Sequence, residues 1–373
     1  MIVPKKSLQD MKPYFSNSQK FKLKLDANEG KNYLLDEKSL EEFFKTVLLE
    51  EEFNIYPDSD ALKLKLALAQ YYNVNSENLI LGNGSSEMIH LLFSTYCEKN
   101  DIILTFSPNF SMYDVYSRIC EAKLEKINTL TASSKLCFVQ DIALLTERAN
   151  DLNPKIILLC NPNNPTGSII SISDIEKIAL SFPDTLVAVD EAYADFANVS
   201  AINLISKYNN IVVLRTLSKA FGLADIRTGM IIADEKIILQ LQISKAPYNL
   251  NGISQKLAIY ALENKERVSK YISEVNTERE SLCQFLQTKI KQYDLEKTFK
   301  IYPSNTNFIF LKSENLNLAQ KLAEKSIAIR DFSSDIKAHY RISIGDQAEN
   351  KILKQALSDI FEKHYKSKET QNE

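Results

Sequence analysis

Short apolar runs recur along the chain, and the stretches between them carry apolar residues at helical spacing. Five of these runs predict buried β-strands, because each is short, largely apolar and bounded by polar or turn-forming residues. They lie at residues 78–81, 101–106, 155–160, 187–189 and 211–214. The stretch after the first run places apolar residues at Met88, Leu91, Leu92 and Tyr96, which is typical of an amphipathic helix. Strands that alternate with helices predict an α/β fold.

The C-terminal part of the chain has a different pattern. Helical periodicity extends from residue 254 to about residue 293, and two strand-like runs follow at residues 306–311 and 339–344. We therefore expect a large domain over residues 46–254. Residues 1–45 and 255–373 are expected to lie outside this large domain.

A polar motif follows each of the five predicted strands. The motifs are GNGSSE at 82–87, SPNFSMY at 107–113, NPNNPTG at 161–167, DEAY at 190–193 and TLSKAFGL at 216–223. In open α/β sheets, ligands bind outside the carboxyl ends of the strands. The sequence thus predicts a ligand site where these motifs meet.

Lys219 is the most informative residue of these motifs. A lysine held after a buried strand can react with carbonyl compounds, and the aldehyde of pyridoxal phosphate (PLP) is a common protein-bound partner. Hydroxyl groups at Thr216 and Ser218 and the cation of Arg227 offer groups that bind a phosphate. The glycine turn at residues 82–84 leads into a helix N-terminus, which also suits a phosphate dianion.

Three more residues fit the ring of the same cofactor. Asp190 ends a predicted strand, where its carboxylate can pair with a protonated pyridine nitrogen. Tyr193 and Asn164 are candidates to hold the ring oxygen, and Phe110 is a candidate to stack on the ring. Taken singly, the motifs have other interpretations. Lys219 also fits a surface lysine, the glycine turn an ordinary capped helix, Asp190 a turn residue and Phe110 a core aromatic. Their occurrence after five successive strands favours the functional interpretation.

With these residues identified, the chain resembles the fold-type I PLP-dependent aminotransferases, and within them the histidinol-phosphate aminotransferases. The resemblance extends from residue 13 to residue 345. It rests on the motifs above and on four others, LDANE at 25–29, YPD at 56–58, KAPYNLN at 245–251 and RISIG at 341–345. It implies a large α/β domain with a mostly parallel sheet and a small α+β domain formed by both chain ends.

The resemblance also implies a role for each site residue. Lys219 bonds to the cofactor aldehyde and moves the substrate proton, with Asp190 and Tyr193 as the other catalytic residues. The implied cofactor contacts are Gly84, Ser85, Ser86, Phe110, Asn164, Asp190, Tyr193, Thr216, Ser218, Lys219, Arg227 and, from the other subunit, Tyr56. The implied substrate contacts are Tyr14, Asn28, Arg330 and Arg341. A tyrosine that reaches across subunits implies a homodimer with shared active sites.

The activity implied by the resemblance is transamination. An amino donor, histidinol phosphate, and a 2-oxo acid, 2-oxoglutarate, would give imidazole acetol phosphate and glutamate in histidine biosynthesis. Two enzymes of the same fold remain as alternatives, an aromatic amino acid aminotransferase and a threonine-phosphate decarboxylase. A PLP-binding transcriptional regulator is disfavoured, because it needs an appended DNA-binding domain and the motifs begin near residue 25.

Composition adds constraints on partners and location. A formal net charge of −3 argues against a nucleic-acid surface. The sequence has no apolar run long enough for a signal peptide or a membrane span, so no membrane partner is expected. The five cysteines are odd in number and lack CxxC spacing, which favours a reducing cytoplasm. Three scattered histidines predict no metal site.

Overall fold

The structure is a computed structural model that describes residues 2–11, 13, 20–34, 37–45, 49, 52–129 and 137–372. Seven strands form the larger of two sheets. They are β2 (Leu79–Asn83), β3 (Ile102–Ser107), β4 (Lys123–Asn128), β5 (Ile156–Cys160), β6 (Leu186–Asp190), β7 (Ile211–Thr216) and β8 (Thr228–Ala233). Their spatial order is β2-β8-β7-β6-β5-β3-β4. All five predicted strands of this region are present.

The larger sheet is mostly parallel, as predicted. Strands β3, β4, β5, β6 and β7 pair in parallel, whereas β8 runs antiparallel to both β7 and β2. Every residue of β5 and of β7 is buried. Strands covered on both faces have continuous apolar runs, which explains why the sequence pattern identified them.

The smaller sheet combines the two ends of the chain. Its strands are β1 (Leu23–Leu25), β9 (Phe299–Tyr302), β10 (Phe308–Ser313), β11 (Ile327–Asp331) and β12 (His339–Ser343). They lie in the order β1-β11-β12-β10-β9, with β1 parallel to β11. The domain limits at residues 46–254, 1–45 and 255–373 stay a prediction.

Helices cover both sheets. They are α1 (Glu37–Phe43), α2 (Leu62–Tyr72), α3 (Gly84–Tyr96), α4 (Met112–Ile119), α5 (Ile142–Leu152), α6 (Ile172–Ser181), α7 (Ala194–Ala197), α8 (Glu235–Ser244), α9 (Gly252–Glu263), α10 (Lys265–Gln292), α11 (Leu318–Ala323) and α12 (Gln347–Asn372). Within the described ranges, none of them combines the length and the apolar character that crossing a bilayer requires.

The long helical periodicity after residue 254 corresponds to two helices. α9 ends at Glu263, and α10 begins at Lys265, with Asn264 between them. The Asn264 side-chain amide donates to the carbonyl of Tyr260 at 2.8 Å, so a local side-chain bond accompanies the break. α10 then buries one face, including Val268, Val275 and Leu282.

The core lies on both faces of the larger sheet. Successive side chains of β5 point to opposite faces. Ile157 and Leu159 belong to one apolar cluster, and Ile156, Leu158 and Cys160 belong to another.

The strand order also determines where a ligand can bind. After β3 the chain adds β4 on one side, and it then returns to add β5 on the other side of β3. The order of strands therefore reverses between β3 and β5, and such a reversal opens a crevice at the carboxyl ends of the strands. The polar motifs at 107–113 and 161–167 border this crevice.

Candidate active site

Lys219 lies three residues after β7, and its amine is held by the N-terminal loop. Lys219 Nζ donates to the carbonyl oxygen of Ala27 at 3.1 Å. Burial lowers the pKa of Lys219, the positive charges of Arg341 and Arg227 lower it as well and Glu29 raises it, so that the pKa is about 8. A lowered pKa makes a lysine available as the neutral amine, the form that attacks carbonyl compounds and accepts protons.

This lowered pKa leads to a prediction for the cofactor-free protein. We expect the rate at which Lys219 reacts with an aldehyde to rise with pH and to level off above a pH of about 8. An ordinary lysine would continue to gain reactivity up to a pH of about 10.4. The rate can be followed by trapping the adduct with borohydride and quantifying the modified peptide by mass spectrometry. Exposed lysines in the same digest are the control, and a Lys219 profile identical to theirs would contradict the prediction.

Asp190 is the last residue of β6 and is almost completely buried. Burial raises the pKa of its carboxyl group, whereas hydrogen bonds from Tyr113 and from the backbone of Ala192 lower it. Tyr113 donates to Oδ2 at 2.6 Å, and the Ala192 N–H donates to Oδ1 at 3.2 Å. The sequence analysis assigned no role to Tyr113, although it lies only one turn after Phe110.

The N-terminus of α3 and Arg227 form a concave anion-binding arrangement. Gly84 has a φ of 79°, and a Cβ at this position would overlap the Arg227 guanidinium. A Cβ on Gly229 would overlap the backbone of Gly84 and Ser85. The first-turn amides of α3 thus lie beside a guanidinium, and both groups attract a phosphate.

Two hydroxyl groups join this arrangement. Arg227 Nη1 donates to Ser218 Oγ at 3.2 Å, and Thr216 Oγ1 donates to the same oxygen at 3.0 Å. Ser86, on the first turn of α3, is hydrogen-bonded to Tyr116. The structure therefore brings together the predicted phosphate contacts from the loops after β2 and β7.

Asn164 and Arg341 connect the two sheets. Arg341 Nη1 donates to Asn164 Oδ1 at 2.6 Å, and its Nη2 donates to the carbonyl of Asp26 at 2.7 Å. The bond to Arg341 uses the oxygen of the Asn164 side chain, so the amide N–H groups are the part that a ring oxygen would meet. A residue from the smaller sheet thus contacts the loop after β5.

Tyr193 and Asn28 form a second buried pair at this junction. Asn28 Nδ2 donates to Tyr193 Oη at 3.0 Å, and Ser343 Oγ donates to Asn28 Oδ1 at 3.0 Å. Burial raises the pKa of Tyr193 to about 12, so its hydroxyl remains protonated at neutral pH and can donate a hydrogen bond.

Arg330 lies next to Arg341 on the neighbouring strand. The two residues are register partners in the antiparallel pair of β11 and β12, so their side chains leave the same face of the sheet. Their guanidinium carbons lie 6.0 Å and 5.7 Å, respectively, from the centre of the Phe332 ring. Two cations beside one aromatic ring are suited to an anionic substrate.

The remaining predicted residues have different positions. Phe110 is half-buried, and its ring meets the Tyr113 ring edge-on at 5.6 Å between centroids. Tyr56 is 76% exposed in the single chain and stacks on Tyr248, with ring centroids 4.5 Å apart. Tyr14 lies outside the described residues.

A buried ionic cluster that the sequence analysis missed supports the loops after β6 and β7. Arg215, on β7, forms salt bridges with Glu191 at 2.9 Å and with Asp195 at 3.0 Å. Glu191 follows Asp190 directly, and Arg215 precedes Thr216. Breaking a buried ion pair is strongly destabilising, so this cluster fixes the two loops that present Asp190 and Lys219.

These features can be compared with known proteins. The model of the aminotransferase class I and II family matches residues 22–357, and the chain belongs to this family. It is 35% identical to a histidinol-phosphate aminotransferase of Clostridium novyi over 93% of this chain and 94% of that protein. It is 36% identical to a histidinol-phosphate aminotransferase of Ruminiclostridium cellulolyticum over 93% of this chain and 95% of that protein. The resemblance inferred from the motifs is therefore confirmed.

A solved structure supports the same fold. It is the histidinol-phosphate aminotransferase of Sinorhizobium meliloti in complex with pyridoxal-5'-phosphate, with a TM-score of 0.79, 19% sequence identity and 92% of each chain covered. The predicted fold class, a fold-type I aminotransferase, is confirmed.

Proposed function

We propose that this protein transfers the amino group of histidinol phosphate to 2-oxoglutarate, with PLP as cofactor, in histidine biosynthesis. The observation that carries the proposal is the register pairing of Arg330 with Arg341 beside Lys219. Arg341 is close enough to lower the pKa of Lys219, so an anion held by the two arginines lies near the reactive amine. The names of the relatives that share a third of this sequence support the same donor.

The residues of the site fit PLP. Ser85, Ser86, Thr216, Ser218 and Arg227 would hold its phosphate, because the structure gathers their donors around the N-terminus of α3. The crowding of Gly84 against Arg227 shows that the backbone at the start of α3 lies directly beside the guanidinium, and both groups suit a dianion.

Other residues would hold the ring of PLP. Asp190 would accept a hydrogen bond from the protonated pyridine nitrogen, because its buried carboxylate lies at the carboxyl end of a central strand. Tyr193 and Asn164 would donate to the ring oxygen, and Phe110 would cover one face. When bound and protonated at its nitrogen, PLP withdraws electrons from the bonds at the donor's α-carbon.

The chain's own residues then perform the proton transfer and position the substrate. Lys219, with its pKa of about 8, removes the α-proton as the neutral amine and returns it as the ammonium. Arg341 binds the anionic group that both half-reactions present, and its bond to Asn164 positions it. Arg330, Tyr14 and Asn28 would complete the substrate contacts.

The first test separates the two arginines. We expect Arg330→Ala to reduce kcat/KM for histidinol phosphate by about 30-fold or more and to affect glutamate much less, since loss of one partner of a buried charge pair costs about 2 to 5 kcal/mol. Arg341→Ala should reduce kcat/KM for both substrates. The measurement is the rate of each half-reaction with the purified protein.

Arg148→Ala is the control, because Arg148 is exposed on α5. It should leave both half-reactions unchanged. Equal and small losses for the two substrates in Arg330→Ala would contradict the proposed donor and favour the aromatic aminotransferase. Release of CO2 without a 2-oxo product would favour the threonine-phosphate decarboxylase.

We also propose a homodimer in which Tyr56 reaches the cofactor phosphate of the partner subunit. Exposed large apolar side chains support it, since apolar surface left open to solvent favours protein contacts. They include Phe53, Ile55, Tyr56, Leu62, Leu66, Leu239, Ile243 and Tyr248. The Tyr56 ring stacks on that of Tyr248.

Hybrid dimers test the shared site. Mixing Lys219→Ala with Tyr56→Phe should restore activity to roughly a quarter of the wild-type level, because random pairing makes half of the dimers hybrid and each hybrid has one intact site. Activity is measured at limiting PLP after subunit exchange has been verified by mass spectrometry. A mixture no more active than its two components would contradict the assignment of Tyr56.

Two further proposals concern organisation and location. Residues 46–254 form a large PLP-binding domain, and residues 1–45 with 255–373 form a small one. The parallel pairing of β1 with β11 supports this division, because it joins the two ends of the chain. All five cysteines are free thiols, which supports location in a reducing cytoplasm.

A further inference from the structure

Tyr113 is a buried tyrosine whose hydroxyl is aimed at the carboxylate of Asp190. It is completely buried, and its Oη lies 2.6 Å from Asp190 Oδ2. Hydrogen bonds to a carboxylate are stronger than those between neutral groups. Because the site is buried, water does not compete with this bond.

We propose that Tyr113 is a positioning residue that acts through Asp190 and keeps the shared proton on the cofactor's ring nitrogen. The proposal rests on the proposed function, because it requires Asp190 to face that nitrogen. Tyr113 would contact Asp190 and not the cofactor itself, unlike the cofactor contacts that the resemblance implied.

The geometry fixes the plane of the carboxylate. Tyr113 Oη donates to Oδ2, and the Ala192 N–H donates to Oδ1 at 3.2 Å. A carboxylate has two acceptor positions on each oxygen, so these two bonds orient the group and leave further lone pairs for the ring nitrogen. Both donors belong to the protein, which means that the orientation exists before the cofactor binds.

The hydrogen bond also controls the basicity of Asp190. A donor to the carboxylate stabilises its charged form and makes it a weaker base. In a buried pair of carboxylate and pyridinium, the proton goes to the stronger base. Tyr113 therefore favours a charged carboxylate and a protonated ring nitrogen. Burial of Asp190 acts in the opposite direction, because it disfavours the charged carboxylate.

Two other titratable side chains lie around Asp190. Cys160 ends β5 and is the register partner of Asp190, and Tyr193 lies three residues after it. Burial raises the pKa of both groups to about 12, so both are neutral at working pH. Burial and the adjacent Asp190 charge raise the pKa of Tyr113 well above its usual value, so it remains a donor.

Tyr113 also links two of the contacts proposed for the cofactor ring, which are the stacking of Phe110 and the pairing with Asp190. Its backbone N–H donates to the carbonyl of Phe110 at 3.0 Å, and the two rings meet edge-on. One turn at the start of α4 thus presents the aromatic ring that would cover the cofactor face and the hydroxyl that holds Asp190.

The test is the protonation state of the ring nitrogen, read by NMR of holoenzyme reconstituted with ¹⁵N-labelled PLP. In Tyr113→Phe, which removes only the hydroxyl, the ¹⁵N resonance should move towards that of unprotonated pyridine. We expect kcat to fall roughly tenfold with little change in the KM of the donor, the size expected for one charged hydrogen bond. A purely structural role would not move the resonance.

Tyr208→Phe is the matched control, because Tyr208 Oη also donates to a carboxylate, Glu176 Oε1, at 3.1 Å, away from the site. It should change neither the resonance nor kcat. If Tyr113→Phe fails to fold, 3-fluorotyrosine introduced at position 113 replaces it. The more acidic hydroxyl is a stronger donor, so the resonance should then move towards the protonated form.

A second substitution tests the contact of Asp190 with the ring nitrogen separately from the role of Tyr113. Asp190→Asn should move the ¹⁵N resonance all the way to that of unprotonated pyridine. Tyr113→Phe should add little in the Asp190→Asn background, because Tyr113 acts through Asp190. An unchanged resonance in Asp190→Asn would contradict the ring-nitrogen contact of the proposed function. A resonance that moves in Asp190→Asn but stays constant in Tyr113→Phe would overturn the role of Tyr113 alone.

Discussion

Lys219→Ala is expected to reduce turnover by about four orders of magnitude, the upper end of what a positioned general acid–base contributes. With the roles proposed above, the variant loses both the amine that attacks the cofactor aldehyde and the base that accepts the α-proton. The proposed phosphate contacts at Ser218 and Arg227 remain, so it should still retain PLP. The measurements are single-turnover kinetics with the amino donor and the cofactor content after gel filtration.

Lys207→Ala is the matched control for this prediction. Lys207 is an exposed lysine that pairs with Glu176 on the surface, so its loss should leave turnover unchanged. Turnover of Lys219→Ala within tenfold of the wild type would contradict the assigned role. A borohydride-trapped adduct that maps to another lysine would also contradict the assigned role.

Asp190→Asn is expected to have the second largest effect, a loss in kcat of about 10³-fold, which corresponds to roughly 4 kcal/mol of activation free energy. The amide has nearly the shape of the carboxylate and can still accept from Tyr113, so the fold should be preserved. It carries no negative charge, however, and no longer favours protonation of the ring nitrogen. Cofactor affinity should decrease far less than kcat.

Asp174→Asn provides the comparison for Asp190→Asn. Asp174 lies in the first turn of α6 and bonds Ser171 and Lys177 at the surface. Its substitution should affect neither kcat nor cofactor content. If Asp190→Asn retained near-normal turnover, protonation of the ring nitrogen would not be needed for catalysis in this protein.

The sequence pattern predicted five of the seven strands of the larger sheet and missed β4 and β8. β5 is covered on both faces and is an uninterrupted apolar run, and β7, which is also buried throughout, begins with such a run at residues 211–214. β4 lies at the edge of the sheet and has a single buried residue, Ile127, so it has no apolar run to detect. β8 was not predicted either, although every residue in it is buried.

The smaller sheet shows a second limit. Its pairing of β1 with β11 joins residues about 300 positions apart, such as Leu23 and Ile327. Local periodicity carries no information on such pairs, and β1 has only three residues. The resemblance to a known family supplied this part of the fold.

The chemistry of the site was easier to predict than its contacts. Parallel strands end at one edge, so Asp190 and Lys219 were expected to be near each other from the order of the motifs. The bond between Tyr113 and Asp190 joins residues 77 positions apart, and the Arg215 cluster depends on three separate segments. Such contacts follow from tertiary packing and leave no local pattern. The predicted roles of the site residues, including Tyr14 and Tyr56, stay predictions.

The most direct test of the account is the donor preference of the purified protein with PLP and 2-oxoglutarate. We predict that kcat/KM for histidinol phosphate exceeds kcat/KM for phenylalanine and for tyrosine by about two orders of magnitude or more, because two arginines can pair with both charges of a phosphate dianion, whereas phenylalanine and tyrosine each present a single carboxylate charge. Glutamate formation and the 2-oxo product are measured together. A protein that used phenylalanine as well as or better than histidinol phosphate would contradict the account.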